Sequence, residues 1–123
     1  MKLAVVGSRS FLDYEWLERC LLDTFRPKDM ESIISGGAGG TDTLAARFAF
    51  LHDIPLVVVS ADWKKYGRGA GPVRNTEIVR LADTLAAFWD GKSRGTRDSI
   101  SKARRAGKTV LVFPCRPKRA GRV

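Results

Sequence analysis

Two glycine-rich segments of the chain combine residue types that could bind a phosphate group. The first, SGGAGGTD, has four glycines in five positions and runs into a helical pattern: Gly36, Gly37, Gly39 and Gly40. A tight turn would need fewer glycines, although each of them reaches positive φ at little steric cost. A glycine loop that leads into a helix presents free N–H groups and the positive end of the helix dipole to an anion. The segment therefore predicts a loop that a phosphate approaches closely.

A second segment, DGKSRGT at residues 90–96, also joins a predicted strand to a predicted helix. Its candidate ligand-binding residues are Asp90, Gly91, Ser93, Arg94, Gly95 and Thr96. The turn after the first predicted strand adds N–H, hydroxyl and guanidinium donors from Gly7, Ser8 and Arg9, for which an exposed turn is the alternative. Several such loops at one edge of a sheet favour a phosphate-bearing small ligand more strongly than any one of them.

The residues after the first glycine segment have two interpretations. Either Thr41 or Asp42 could cap the next helix. Asp42 could instead accept a hydrogen bond from a ribose hydroxyl, because its charge would repel a phosphate.

A polar stretch, ADWKKYGRGAGPVRNTE, contributes further candidates. Arg74 at a helix start is unfavourable against the helix dipole, which suggests that an anion compensates, and Asn75 is its neighbour. Trp63 could stack on a base, with packing at the domain edge as the alternative. Glu77 lies one helical turn from Arg74 and could pair with it.

The composition is that of one globular domain with an uneven charge. A chain of 123 residues with 44% hydrophobic content can bury a single core. The net charge is +9, and residues 92–123 hold half of the 22 lysines and arginines but one acidic residue, Asp98. Such a basic end favours a polyanionic partner or a solvated tail.

Several protein classes are disfavoured. No apolar run approaches the ~20 residues of a membrane span. Cys20 and Cys115 form no redox or metal pattern, which predicts reduced thiols and a cytoplasmic location. Zinc-ligand spacing and a Walker lysine are also missing from the sequence, so neither a metal nor a cofactor is predicted.

Short apolar runs alternate with helical patterns along the chain. Strands are predicted at residues 2–7, 31–35, 55–60, 84–89 and 109–113. This alternation predicts an α/β protein, namely a Rossmann-like three-layer fold with a mostly parallel five-stranded sheet. Ligands of such sheets bind beyond the carboxyl ends of the strands.

The predicted elements also set the domain limits. Asp13 should cap the first helix and Pro27 should end it, while Pro72 should open a helix that continues to about residue 82. The β-branched run at 55–60 predicts a strand buried on both faces. Residues 1–113 are predicted to form a nucleotide-binding domain, and residues 114–123 a flexible basic tail.

Four ordered motifs resemble one known family. The segments VVGSRSF, SGGAGGTDTLAARFA, ADWKKYGRGAGPVRNTEIV and AFWDGKSRGT with the later GKTVLV are similar to the YspA-like, YpsA-related branch of the SLOG superfamily. The resemblance covers the chain up to residue 113. It implies a Rossmann-like fold, binding of a nucleotide or nucleotide-derived ligand, a phage or bacterial source and a homo-oligomer. The superfamily includes the LONELY GUY phosphoribohydrolases and the DNA-processing protein A family.

The resemblance also implies candidate catalytic residues. Arg74 resembles the functional arginine of the hydrolases, and Gly95 with Thr96 resembles the glycine–threonine pair of their second motif. Asp98 falls where they have a catalytic glutamate, but the loop is longer and the side chain shorter than in their pattern. Glu77 is the other acid nearby.

Three functions are open at this point. The first is a sensor or sequestering module for a nucleotide. The second is an N-glycosidic phosphoribohydrolase that acts on nucleoside monophosphates, with slow or undetectable turnover expected. The third is weak nucleic-acid binding through the basic C-terminal third.

Overall fold

The computed structural model describes residues 1–116, which form a parallel sheet covered by helices on both faces. The strands follow the order β3-β2-β1-β4-β5, and every neighbouring pair is parallel. The strands are β1 (Lys2–Gly7), β2 (Ser32–Ser35), β3 (Leu56–Val58), β4 (Thr84–Phe88) and β5 (Thr109–Phe113). The helices are α1 (Tyr14–Thr24), α2 (Thr41–Leu51), α3 (Trp63–Tyr66), α4 (Ala70–Leu81) and α5 (Arg94–Arg105). This confirms the predicted fold class.

Alternate residues of the central strands supply two separate cores. Leu3 and Val5 of β1 face the side covered by α1 and α2, where Phe48 is fully buried. Ala4 and Val6 face the opposite side, where α4 and α5 pack. Burying one large apolar side chain contributes about 1.5–3 kcal/mol, so both layers stabilise the sheet.

The first helix begins and ends as its sequence predicts. The Asp13 carboxylate accepts a hydrogen bond from the Trp16 N–H at 3.0 Å, which caps α1. Leu17 and Leu21 are buried on its inner side, and the helix ends at Thr24, shortly before Pro27.

The third strand differs from its prediction. β3 spans only Leu56–Val58 and lies at the edge of the sheet, where each of its residues is between 39% and 50% exposed. The prediction of a strand buried on both faces is therefore wrong. The reason is topological: the chain crosses from β3 over β2 and β1 to reach β4, which leaves β3 with one neighbour. The apolar composition of a strand does not reveal such an edge position.

The capping of α2 also differs from its prediction. Gly40 occupies the N-cap position, and no side chain caps the helix. Thr41 is the first helical residue, and its hydroxyl donates to the Ser8 carbonyl at 2.9 Å. Asp42 instead accepts a hydrogen bond from the Ala38 N–H at 3.0 Å. The prediction that Thr41 or Asp42 caps this helix is wrong.

The segment after β5 begins in contact with the fold. The Trp16 indole N–H donates to the Pro114 carbonyl at 2.8 Å, and Cys115 packs beside the core. The remainder of the predicted tail, residues 117–123, lies outside the described residues. Within residues 1–116 no helix is long and apolar enough to cross a membrane.

Candidate functional site

A cleft of about 410 Å³ opens at the carboxyl edge of the sheet. The loops after β1, β2 and β4 border it, together with parts of α4 and α5. Twelve of the predicted site residues line it: Gly7, Ser8, Arg9, Gly36, Gly39, Asp42, Arg74, Asn75, Asp90, Ser93, Gly95 and Thr96. The predicted convergence of the glycine-rich loops at one edge is therefore seen in the structure.

The glycines of the first loop have different structural roles. A side chain at Gly40 would collide with the backbone of Arg9, and a Cβ at Gly36 would lie 2.5 Å from the Arg74 guanidinium. These two glycines let neighbouring segments of the protein pack closely. A Cβ at Gly39 would meet no atom within 4 Å, although Gly39 lines the cleft. Packing within the described residues therefore explains why positions 36 and 40 are glycine, but it does not explain the glycine at position 39.

Arg74 connects two walls of the cleft. Its Nη1 donates to the Gly36 carbonyl at 2.8 Å, and its Nε donates to Asn75 Oδ1 at 3.0 Å. The Asn75 amide in turn donates to the Gly95 carbonyl at 3.3 Å and to Asp98 at 3.1 Å. These bonds hold the first glycine loop, α4 and the start of α5 in a fixed arrangement.

The expected conflict between Arg74 and a helix dipole is not present. Because α4 begins at Ala70, Arg74 lies in the second turn, where the dipole effect has largely fallen off. The dipole argument for a compensating anion is therefore wrong. Arg74 is partly buried and still lines the cleft.

Ser8 lies in the wall of the cleft and is almost fully buried. Its backbone is held firmly, since its N–H donates to the Phe88 carbonyl and its carbonyl accepts from both the N–H and the hydroxyl of Thr41. The residue is 2% exposed, and its hydroxyl has no hydrogen-bond partner among the described residues. An unpaired hydroxyl in such a place is costly, by about 1–3 kcal/mol.

The second glycine segment forms a turn held by Asp90. The Asp90 carboxylate accepts hydrogen bonds from the N–H groups of Lys92 and Ser93, both at 2.8 Å. Both bonds lower the pKa of Asp90, and the bond from the Ser93 N–H has the larger effect. The nearby Ser8 hydroxyl lowers the pKa of Asp90 by a smaller amount, although it is not positioned to form a hydrogen bond with the carboxylate. Ser93 then caps α5 by accepting from the Thr96 N–H at 3.4 Å.

The two acidic catalytic candidates lie outside the cleft lining. Asp98 pairs with Lys102 at 2.8 Å and accepts from Asn75. Glu77 pairs with Arg80, one turn further along α4, so the predicted pairing with Arg74 is wrong.

The other predicted binding residues are distributed around the site. Gly37 and Trp63 line an adjoining cavity, whereas Gly40, Thr41, Gly91 and Arg94 line neither. Sequence reasoning missed five lining residues: Val6, Ser10, Ala38, Ile78 and Ser99. Ser10 and Ala38 lie inside the motifs and could have been found from them, whereas Ser99 carries no local signal.

Two solved protein structures share the fold of this chain. DNA processing protein A from Streptococcus pneumoniae superposes with a TM-score of 0.74 and 21% identity, over 90% of this chain and 49% of that one. The chain thus spans about half the length of that protein. DNA processing protein A from Helicobacter pylori superposes with a TM-score of 0.66 and 21% identity, over 98% of this chain and 67% of that one. At this identity the likeness shows the shared fold.

Sequence comparison identifies the family. The Gene 61 protein of Mycobacterium phage D29 is 32% identical over 123 residues, which cover 94% of this chain and 98% of the phage protein. The profile of the YspA, cpYpsA-related SLOG family matches residues 1–66, which include β1, the first glycine loop and α2. The resemblance seen in the motifs is thereby confirmed, and the chain belongs to the YspA, cpYpsA-related SLOG family.

Proposed function

We propose that the cleft binds a nucleotide or a nucleotide-derived ligand through a phosphate group. The observation that carries this proposal is the Ser8 hydroxyl, which is buried in the cleft wall without a partner among residues 1–116. A phosphate oxygen placed against it would accept its hydrogen bond and remove the cost of the unpaired hydroxyl.

The surroundings of Ser8 suit the same ligand. Arg9 and Arg74 line the cleft, and the first turn of α5 faces it with Gly95 and Thr96. The Thr96 N–H is used by the Ser93 cap, whereas the Gly95 N–H makes no hydrogen bond within residues 1–116 and can attract an anion. Asp42 and Asp90 also line the cleft, but both accept hydrogen bonds from loop N–H groups, which fix the loops in place.

Ser8→Ala tests this proposal, with Ser35→Ala as the matched control. Both hydroxyls are buried and unpartnered among the described residues, but only Ser8 lines the cleft. Calorimetry with a panel of nucleoside monophosphates should show roughly 10- to 150-fold weaker binding for Ser8→Ala, the range for a hydrogen bond to a charged group. Ser35→Ala should bind as the unmodified protein does.

The free energy of unfolding separates this effect from damage to the fold. Each substitution removes a buried unpaired hydroxyl, so neither variant should be less stable than the unmodified protein. Equal nucleotide affinities of the Ser8→Ala and Ser35→Ala variants would contradict the proposal. Failure of the unmodified protein to bind any member of the panel would contradict it as well.

The two carboxylates that the family resemblance suggests for hydrolysis, Asp98 and Glu77, do not line the cleft. Glycoside cleavage uses carboxylates that flank the scissile bond. Asp98 is turned toward Asn75 and Lys102, and Glu77 toward Arg80, so neither offers a free carboxylate to the cleft. We therefore propose binding without assigning turnover. The homo-oligomer implied by the family resemblance stays a prediction.

A second candidate function is binding of single-stranded nucleic acid along α5. Arg94, Arg97, Arg104 and Arg105 are exposed, and their spacings of three, ten and eleven residues from Arg94 place them on one side of the helix. None of these four forms an ion pair within residues 1–116. The solved Helicobacter pylori neighbour is described as binding single-stranded DNA. A row of free guanidinium groups suits a phosphodiester backbone.

The salt dependence of binding tests this second function. Replacing Arg97 and Arg104 with alanine should flatten the slope of log affinity against log salt for an oligothymidylate, by about 0.7 for each phosphate that the variant no longer neutralises. Arg19→Ala with Lys28→Ala, two cations outside α5, serves as the control and should leave the slope unchanged. Identical slopes for both double variants would rule out the α5 row as a nucleic-acid surface.

A further inference from the structure

A second cavity of about 300 Å³ adjoins the cleft on the side of β3. The two cavities share the residues of their common wall: Arg9, Gly36, Ala38, Gly39 and Arg74. The far side of the second cavity is formed by Gly37, Ser60, Ala61 and Trp63. The binding region thus has two compartments that meet along one boundary.

The charges of the two compartments place an anion at that boundary. Arg9 and Arg74 belong to both cavities, so both cations border the shared wall. Asp42 and Asp90 line the first cavity only. The Asp42 carboxylate reaches the shared wall, where it accepts a hydrogen bond from the Ala38 N–H at 3.0 Å, whereas Asp90 lies beyond it. Because like charges repel and opposite charges attract, a phosphate is favoured beside the two arginines on the side that faces away from Asp42. Gly39 lies there too and leaves open space where a side chain would stand.

The far end of the second cavity has an aromatic surface. Trp63 is 54% exposed, and its indole makes no hydrogen bond within residues 1–116. The other two tryptophans are held, since the indoles of Trp16 and Trp89 donate to the carbonyls of Pro114 and Ser93. A free, exposed indole beside a cavity can stack on a nucleobase.

The far end of the first cavity has a different character. Its wall carries the hydroxyls of Ser93 and Thr96 and the carboxylate of Asp90. These groups can exchange hydrogen bonds with the hydroxyls of a sugar or the polar edge of a base. Each compartment therefore suits one nucleoside, and the boundary between them suits a phosphate.

We infer that the ligand of this site consists of two nucleosides joined through a phosphate bridge, with the bridge between Arg9 and Arg74 and one base on Trp63. This inference rests on the proposed nucleotide-binding function and narrows its ligand class. A nucleoside monophosphate would occupy only one compartment. The bridge could come from a free dinucleotide or from one step of a single strand, and the two share this chemistry.

Binding of the dinucleotide dTpdT and of dTMP by the full chain tests the inference. The dinucleotide should bind at least about tenfold more tightly, because it fills both cavities. Trp63→Ala should weaken dTpdT binding by roughly 5- to 150-fold, the range for loss of one stacked base, and leave dTMP binding unchanged. Tyr66→Ala is the matched control, since this neighbouring aromatic is also exposed but does not line either cavity.

The outcomes separate the inference from the function on which it rests. If dTMP binds as tightly as dTpdT, or if Trp63→Ala changes neither affinity, the two-compartment ligand is wrong while nucleotide binding stands. If the unmodified protein binds neither probe, both proposals fail. Comparison with oligothymidylate and with NAD⁺ then distinguishes the sources. If the affinity for oligothymidylate exceeds that for dTpdT and this increase depends on salt, the natural ligand is a single strand. If NAD⁺, whose nucleosides are joined by a pyrophosphate, binds more tightly than dTpdT, the natural ligand is a free dinucleotide.

Discussion

Gly40→Ala is expected to lower the free energy of unfolding by roughly 2–6 kcal/mol. Gly40 has φ of 62° and ψ of −122°, a backbone conformation that is essentially restricted to glycine. Strain of about 1–3 kcal/mol adds to an overpacking cost of about 1–3 kcal/mol, because the new methyl group would collide with the Arg9 backbone. A domain with a typical stability of ~5–15 kcal/mol would lose a large part of it.

Urea unfolding measures this loss, with Gly69→Ala as the control. Gly69 has φ of −79° and ψ of −6°, and a Cβ there would meet no atom within 4 Å. Its replacement should leave the unfolding midpoint nearly unchanged or raise it slightly. Equal midpoints for the two variants would show that the loop accommodates a side chain at Gly40, and that the packing against the Arg9 turn is not tight.

The sheet could be predicted because its signals are local. The ranges 2–7 and 109–113 match β1 and β5 as they stand, since each is an apolar run bounded by glycine or proline on one side. The alternation of strands and helices then fixes a parallel sheet, whose carboxyl edge gathers the loops. Local pattern and chain connectivity suffice for this much.

Edge position and loop contacts could not be predicted in the same way. Leu56 and Val58 are as apolar as the residues of a central strand, and only the crossover to β4 leaves them exposed. Thr41 has the composition of a helix cap, but its hydroxyl is used by the Ser8 carbonyl 33 residues earlier in the chain. Such outcomes depend on long-range neighbours, which a single sequence does not reveal.

The site residues illustrate the same limit. The glycine motif indicated a close approach to the backbone, and the structure shows that at Gly36 and Gly40 the approaching group is protein. Gly39 keeps the open position in the cleft that the motif suggested for a ligand. The spacing of Asp98 from Thr96 resembled a catalytic pattern, whereas its interaction with Lys102 is that of an ion pair. Residue types in a motif thus locate a site without assigning the role of each member.

Arg74→Ala is expected to weaken nucleotide binding by about 10- to 150-fold. The substitution removes a guanidinium that lines both cavities, and a charge-assisted hydrogen bond to phosphate contributes about 1.5–3 kcal/mol. It also removes the hydrogen bonds to the Gly36 carbonyl and Asn75, so the glycine loop is held less firmly. Isothermal titration calorimetry with a nucleotide ligand measures the first effect, and urea unfolding measures the second.

Two further variants separate charge from geometry in this effect. Arg74→Lys keeps the positive charge but loses the planar fork of donors, so its affinity should fall between those of Arg74→Ala and the unmodified protein. Arg80→Ala removes an exposed arginine from the same helix, where it pairs with Glu77 outside both cavities, and should leave the affinity unchanged. If Arg74→Ala and Arg80→Ala bind nucleotide equally well, the guanidinium of Arg74 serves only to hold Gly36. The phosphate would then have to be bound by Ser8, Arg9 and the first turn of α5 alone.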